Sequence, residues 1–274
     1  MAPTVPGDIE EEEGLVSIPS DSGSEEPDQS AEEEEKGSLC RCFSSSFLTL
    51  GIRSNLQSRD LLYLRMDYKK IADDVSQKIL SYSQDTSGWK VVKSSKNITV
   101  SWKPSKEYSG NIYRGEGIIE EIPEKVIPFM YLEKYRAKWD SALKSYSIVG
   151  EIDENTVICH CITHSYGMGI ISSREFVDLI HIRRYDGGVV TTNTVSVEYD
   201  KCPVTSSHVR GFNNPCGYVC SPLPENPAHS RLVVFIQPDL GGLLPRAVVE
   251  SALPNNVVNL ISEARETIKK LLQG

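Results

Sequence analysis

Several clusters of side chains have types and spacings that could do chemistry. Cys159-His160-Cys161 and His164 set two imidazoles four residues apart among thiols. On a helix the two histidines would share a face and could ligate zinc. Thr156, Val157, Ile158, Ile162 and Thr163 around them argue instead for a strand, where four residues span about 13 Å. Two ligands of one metal cannot be that far apart. Cys216 and Cys220 repeat the spacing in another strand-like run and meet the same objection. Gly167-Met168-Gly169 is half of a dinucleotide fingerprint, but it falls between strands rather than ahead of a helix. With five histidines in the chain, no Ser-His-Asp set assembles. GxSxG, GxxxxGK[ST] and HExxH are absent from the sequence. We therefore expect no catalytic residue, no metal site and no cofactor. Arg174-Glu175 is left over, at the mouth of the apolar run FVDLI.

The elements that must position these residues follow from periodicity. Ile71, Val75, Ile79 and Tyr82 mark one helix face from Tyr68 to Tyr82. WKVVK (89–93), NITVSWKP (97–104) and NIYRGEGII (111–119) read as strands, and Pro123 to Lys138 as a helical insert. Strand patterns then recur at 145–152, 156–165, 176–185, 189–199, 208–222 and 231–240. Their short links favour an antiparallel meander. Val257, Val258, Ile261, Ala264, Ile268 and Leu271 predict a C-terminal helix of about 18 residues, set off from a shorter turn by Pro254. The class is α+β. A sheet of about nine antiparallel strands must bury a face, and one closing helix over a curled sheet leaves a cavity.

Composition divides the 274 residues. Residues 1–39 hold thirteen acidic side chains and one lysine, so the chain's net −9 leaves +3 for the remainder. Two EEEE runs among Ser, Pro and Gly cannot bury enough apolar surface to offset chain entropy. Residues 1–65 are expected to be a disordered acidic N-terminal extension, with Cys40 and Cys42 open to palmitoylation or metal but more simply neither. Residues 66–274 form one domain. There is no signal-peptide h-region, so seven cysteines imply reduced thiols and a cytoplasmic protein. Basic residues are scattered and not interleaved with aromatics, which argues against nucleic acid.

DTSGWKVVK (85–93), IYRGEGII (112–119), KWD (138–140), ISSREFVDL (171–179), VRGFNNPCGYVC (209–220) and DLGGLLP (239–245) together resemble the START (steroidogenic acute regulatory protein-related lipid transfer) domain family. The resemblance runs through 66–274 and is strongest with the small soluble sterol-binding subgroup, members four to six. It implies a helix-grip fold, a curved antiparallel sheet closed over a lipid cavity by the C-terminal helix. It also implies a gating loop at about 165–173, with Gly167, Met168, Gly169 and Ile170 at its tip. Cholesterol-binding relatives carry a buried carboxylate and a buried arginine where this chain has Cys161 and Ile180. Ser173 replaces the expected Pro, and Asn214 the expected His.

The expectation is a monomeric carrier that encloses a sterol or related lipid and transfers it between membranes. The alternatives are a bile-acid or phospholipid carrier and a non-transferring interaction module. A hydrolase or cyclase on the same scaffold has the least support. Alternation puts Phe176, Asp178 and Ile180 on one face, beside Cys159, Cys161 and Thr163. With Val257, Ile261 and Gln237 they form the candidate lining, and Thr163, Asp178 or Gln237 is the candidate polar contact. Arg174 reads as a latch on the gating loop, with ligand contact the second reading, and Glu175 as a solvated or helix-facing charge. Arg265, Lys269 and Lys270 are expected to touch anionic membrane surfaces transiently.

Overall fold

The computed structural model describes residues 53–166 and 169–273. The expectations for residues 1–52, Cys40 and Cys42 among them, and for Gly167 and Met168 lie outside the described residues. The first helix, α1 (Arg53–Gln84), precedes the strands β1 (Lys90–Ser95), β2 (Ile98–Pro104) and β3 (Asn111–Ile119). Two short helices, α2 (Pro123–Tyr131) and α3 (Glu133–Trp139), follow. Next come β4 (Leu143–Asp153), β5 (Thr156–Thr163), β6 (Arg174–Tyr185), β7 (Val189–Ser196), β8 (Val209–Arg210) and β9 (Phe212–Asn213). The chain then forms β10 (Cys216–Leu223), β11 (Asn226–Ile236), β12 (Pro238–Asp239) and α4 (Arg246–Gln273).

Nine strands run in the order β1-β2-β3-β11-β10-β7-β6-β5-β4, each antiparallel to its neighbours. The short β8 lies parallel to the start of β6, and β9 pairs with β12 in a separate ribbon. This is the α+β helix-grip architecture that the strand count foreshadows. Each face of the sheet has its own cover, because strand side chains alternate in direction. On the inner face Val257, Ile261, Ala264 and Ile268 of α4 pack with Ile98, Val100 and Tyr113, and with Val126, Phe129 and Met130 of α2. On the outer face Val75 and Ile79 of α1 meet Ile112, Val219, Val233 and Phe235.

Three boundaries differ from the sequence reading. Helix α1 begins at Arg53 rather than Tyr68, and so takes in residues 53–65, which the sequence reading assigned to the disordered extension. The insert is two helices, because Leu132 turns extended (φ −71, ψ 128) and serves as C-cap of α2 and N-cap of α3. Pro254 lies inside one continuous 28-residue α4 instead of dividing it. The missing proline N–H removes one bond. Residues before it (Ala252, Leu253) and after it (Asn256, Leu260) still face the same cavity, so packing along one stripe overrides that loss.

Helix α4 can approach the sheet only where side chains are missing. A Cβ on Gly115 would collide with Val257 Cγ1 and stand 3.0 Å from Ile261 Cδ1. One on Gly117 would stand 2.9 Å from Ile261 Cγ2. Gly115→Ala should therefore cost about 1–3 kcal/mol of stability by overpacking. Denaturant titration of that variant against wild type measures it, and an unchanged midpoint would show that α4 is not seated on β3.

Candidate functional site

Between the inner face of the sheet and α4 lies a cavity of about 330 Å³. Its size falls in the usual range for small-molecule pockets. The register of β5 on β6 sets Cys159 opposite Asp178 and Cys161 opposite Phe176. Cys159, Cys161, Thr163, Phe176, Asp178 and Ile180 all line the cavity. Tyr146 of β4 and Val234 of β11, five places away in the strand order, line the same space. Only a strongly curved sheet can do this. Leu253, Asn256 and Leu260 of α4 form the roof, and no histidine is among the lining residues.

The wall is apolar apart from a few built polar groups. Asp178, 4 % exposed, accepts a hydrogen bond on Oδ1 from Ser196 Oγ at 2.5 Å. Its Oδ2 accepts another from Asn213 Nδ2 at 2.8 Å. Asn213 N–H donates in turn to Ser196 Oγ at 2.7 Å, which closes a ring across β6, β7 and β9. Burial raises the Asp178 carboxyl to about 6, and the two hydrogen bonds only partly oppose that rise. A second polar group comes from α3. Arg136 pairs with Asp140 at 2.6 Å and donates to Met130 O and Tyr218 OH, both at 2.7 Å. Its donors serve the protein, fastening α3 to β10.

Arg174 stands at the mouth. Its Nε donates to Leu240 O at 3.1 Å and its Nη1 to Ser172 O. Its backbone N–H donates to Thr163 Oγ1 at 3.1 Å. The guanidinium therefore joins the end of the 166–171 loop to the segment that leads into α4. Tyr166 and Ile171 close that loop with paired backbone bonds of 2.9 and 3.0 Å, leaving Ile170 exposed. The partners of Arg174 are carbonyls, and burial lowers its basicity. Glu175, on the other face, is not solvated. It is 4 % exposed and held by His160 Nε2 at 3.0 Å and Arg210 at 3.1 Å. These contacts outweigh its desolvation and lower its pKa.

Residues 67–274 match the START domain family. This chain belongs to that family. It is 48 % identical over 204 residues to human StAR-related lipid transfer protein 6, covering 74 % of this chain and 93 % of the relative. To the Bos taurus StAR-related lipid transfer protein 5 it is 38 % identical over 203 residues, covering 73 % and 95 %. Among solved structures, human StAR-related lipid transfer protein 5 superposes with a TM-score of 0.71 at 36 % identity, covering 75 % of this chain and 98 % of that one.

Several of the expected site residues fall elsewhere in this START domain. Gln237 does not line the cavity. It lies behind the sheet, where its Nε2 donates to Tyr82 OH at 3.0 Å and Pro215 O at 2.7 Å, and its Oε1 accepts from Ser105 Oγ at 3.3 Å. Val257 and Ile261 point into the glycine seat on β3 rather than into the space. Arg265 faces the sheet edge, donating to Ile118 O at 2.9 Å and Lys96 O at 2.8 Å, so it is not free to meet a membrane. Lys269 pairs with Glu120 at 3.2 Å, and Lys270 is exposed in the last turn. Cys161 and Ile180 line the cavity but sit opposite Phe176 and Val157, four residues apart along the strands. Sequence reasoning missed Ser196, Asn213 and Arg136. Only alternation along β7 could have signalled Ser196, and nothing local signals the other two.

The raised Asp178 pKa fixes a sign. The folded state holds this proton more tightly than the unfolded chain, so the stability it carries is complete below about pH 4 and lost as pH rises through about 6. Asp178→Asn should remove that loss, making the variant more stable than wild type by about 2–3 kcal/mol at pH 7. The gap should close toward pH 4. Chemical denaturation of both proteins at several pH values between 4 and 7 checks it.

Proposed function

We propose that this START domain is a lipid carrier that encloses a sterol or similar amphiphile and moves it between membranes. The observation that carries this reading is the cavity, walled by apolar side chains and roofed by a helix with small polar patches. Removing a ring system from water gains roughly 25 cal/mol per Å² buried, and a few polar groups then fix its orientation. Lipid transfer in the names of the relatives supports the same class. The cavity thiols speak against an enzyme, since burial pushes Cys159, Cys161 and Cys216 up and keeps them protonated. We place the carrier in the cytoplasm as a monomer, with residues 66–274 sufficient for binding.

Entry requires movement, and α4 is unequally held. Residues 246–253 include none that is fully buried, whereas Val257, Ile261 and Ala264 are sealed against the sheet. The two turns before Pro254 are therefore the lid. Ile170 is 70 % exposed, and Leu243, beside the lid, is fully exposed. Arg174 ties their two segments together, which makes this end the membrane-facing one. Lys269 lies 23 residues along α4 from Arg246, about 35 Å away at 1.5 Å per residue. The lysine end is thus a separate, weaker contact with anionic lipid. A second reading, an acidic amphiphile such as a bile acid, is favoured by Arg174, a buried cation with carbonyl partners on the cavity wall.

Mass spectrometry of lipid extracted from the purified full chain tests the class, and bound sterol is the expected result. Ile170→Asp should slow sterol transfer between vesicles at least several-fold while leaving equilibrium affinity within a few-fold. Normal transfer by that variant would remove the loop from the gate.

A further inference from the structure

One buried carboxylate on the cavity wall has fewer partners than it can accept. Thr163 Oγ1 already accepts from the Arg174 backbone, and Gln237 lies behind the sheet with its amide committed. Asp178 differs. An ionised carboxylate offers about four acceptor positions, and Ser196 and Asn213 occupy one on each oxygen. No cation answers it. Arg136 is held by Asp140, and Arg174 is bound to carbonyls four residues away on the same strand, about 13 Å off. The ring with Ser196 and Asn213 fixes the carboxylate in place across three strands, so the open lone pairs have a set direction. The raised pKa of this group is the same fact seen thermodynamically, a charge without full solvation.

Resting on the lipid-carrier reading above, we infer that Asp178 is the acceptor for a hydroxyl at the buried end of the ligand, so the cavity selects lipids that present a hydrogen-bond donor there. A hydroxyl supplies the missing donor without bringing a charge. A ketone, ether or ester at the same place sets lone pairs against the carboxylate and leaves both sides unpaired, which a buried site does not tolerate cheaply. Sites built to bond a hydroxyl reject analogues that lack it far more strongly than apolar pockets reject a change of size.

The test compares a fluorescent 3-hydroxysterol with its 3-keto analogue, by equilibrium binding at pH 7.5. The proteins are the wild-type full chain, Asp178→Leu, Asp178→Asn and Thr194→Val, Thr194 being the rival hydroxyl on the wall. Wild type should prefer the hydroxysterol by about tenfold or more, one such factor being about 1.4 kcal/mol. Asp178→Leu should abolish the preference. Asp178→Asn, whose Oδ1 can still accept from Asn213 while its Nδ2 donates to Ser196 Oγ and toward the ligand, should shift the ratio toward the ketone even if the Leu variant fails to fold. An unchanged ratio in the Asp178 variants, no preference in wild type, or a preference lost only in Thr194→Val would overturn the inference. If wild type binds neither sterol, the sterol reading itself fails, and that outcome is distinct from binding without discrimination.

Discussion

The close seat of α4 on β3 is the contact on which everything else rests. Gly115 and Gly117 offer no side chain, so Val257 and Ile261 drop into contact with the backbone there, and Arg265 caps the contact by donating to two carbonyls at the sheet edge. That fixes one half of a 28-residue rod. Beside that seat, another face of the rod, from Val249 through Leu253 and Leu260 to Glu263, roofs the concavity. A cavity is therefore a consequence of where the glycines are. Were the helix seated along its whole length, the same residues would make an ordinary core.

Unequal seating also divides labour along the chain. Apolar burial is concentrated after Pro254, while the preceding turns carry Arg246, Glu250 and Ser251 toward solvent. Local opening follows the least buried segment. One arginine ties the segment leading into it to the loop at the mouth. Arg174 spends its hydrogen bonds on carbonyls from two loops, and a desolvated guanidinium bonded to carbonyls is a weaker tie than one paired with a carboxylate. The nearby Glu175 could have served, but strand alternation sends it to the opposite face, where His160 and Arg210 hold it. The tie at the mouth is thus made to neutral partners alone.

How far this was legible in the sequence depended on whether the signal was local. Period-2 alternation placed Cys159, Cys161 and Thr163 beside Phe176, Asp178 and Ile180, because consecutive antiparallel strands pair as neighbours and every second residue of each faces the same way. The C-terminal stripe placed Val257 and Ile261 on a buried face, yet periodicity cannot say whether a buried face meets a wall or a void. Gln237 was misplaced for a related reason. Val233, Phe235 and Gln237 alternate onto the face that α1 covers, and Gln237 meets Tyr82 there. Pro254 misled because a missing hydrogen bond is local, while the packing that overrides it is not. Asn213 was invisible for the plainest reason: it reaches Asp178 from a two-residue ribbon 35 positions on.

The positions that resemblance assigns to a carboxylate and an arginine carry Cys161 and Ile180 here, and the structure gives that exchange a physical reading. A complete ion pair would hold its own charges in balance inside the cavity and would ask little of a ligand. This chain keeps a carboxylate at Asp178, midway between those two positions on the β5–β6 ladder, and omits the cation. Ser196 and Asn213 supply enough bonding to keep the acid in place, but not enough to make burial free. A carboxylate held at such a cost on the wall is one that a donor in the cavity would stabilise, which is the basis of the hydroxyl selection inferred above. On that proposal affinity comes mostly from the apolar wall, and the choice among apolar ligands of similar shape from one carboxylate.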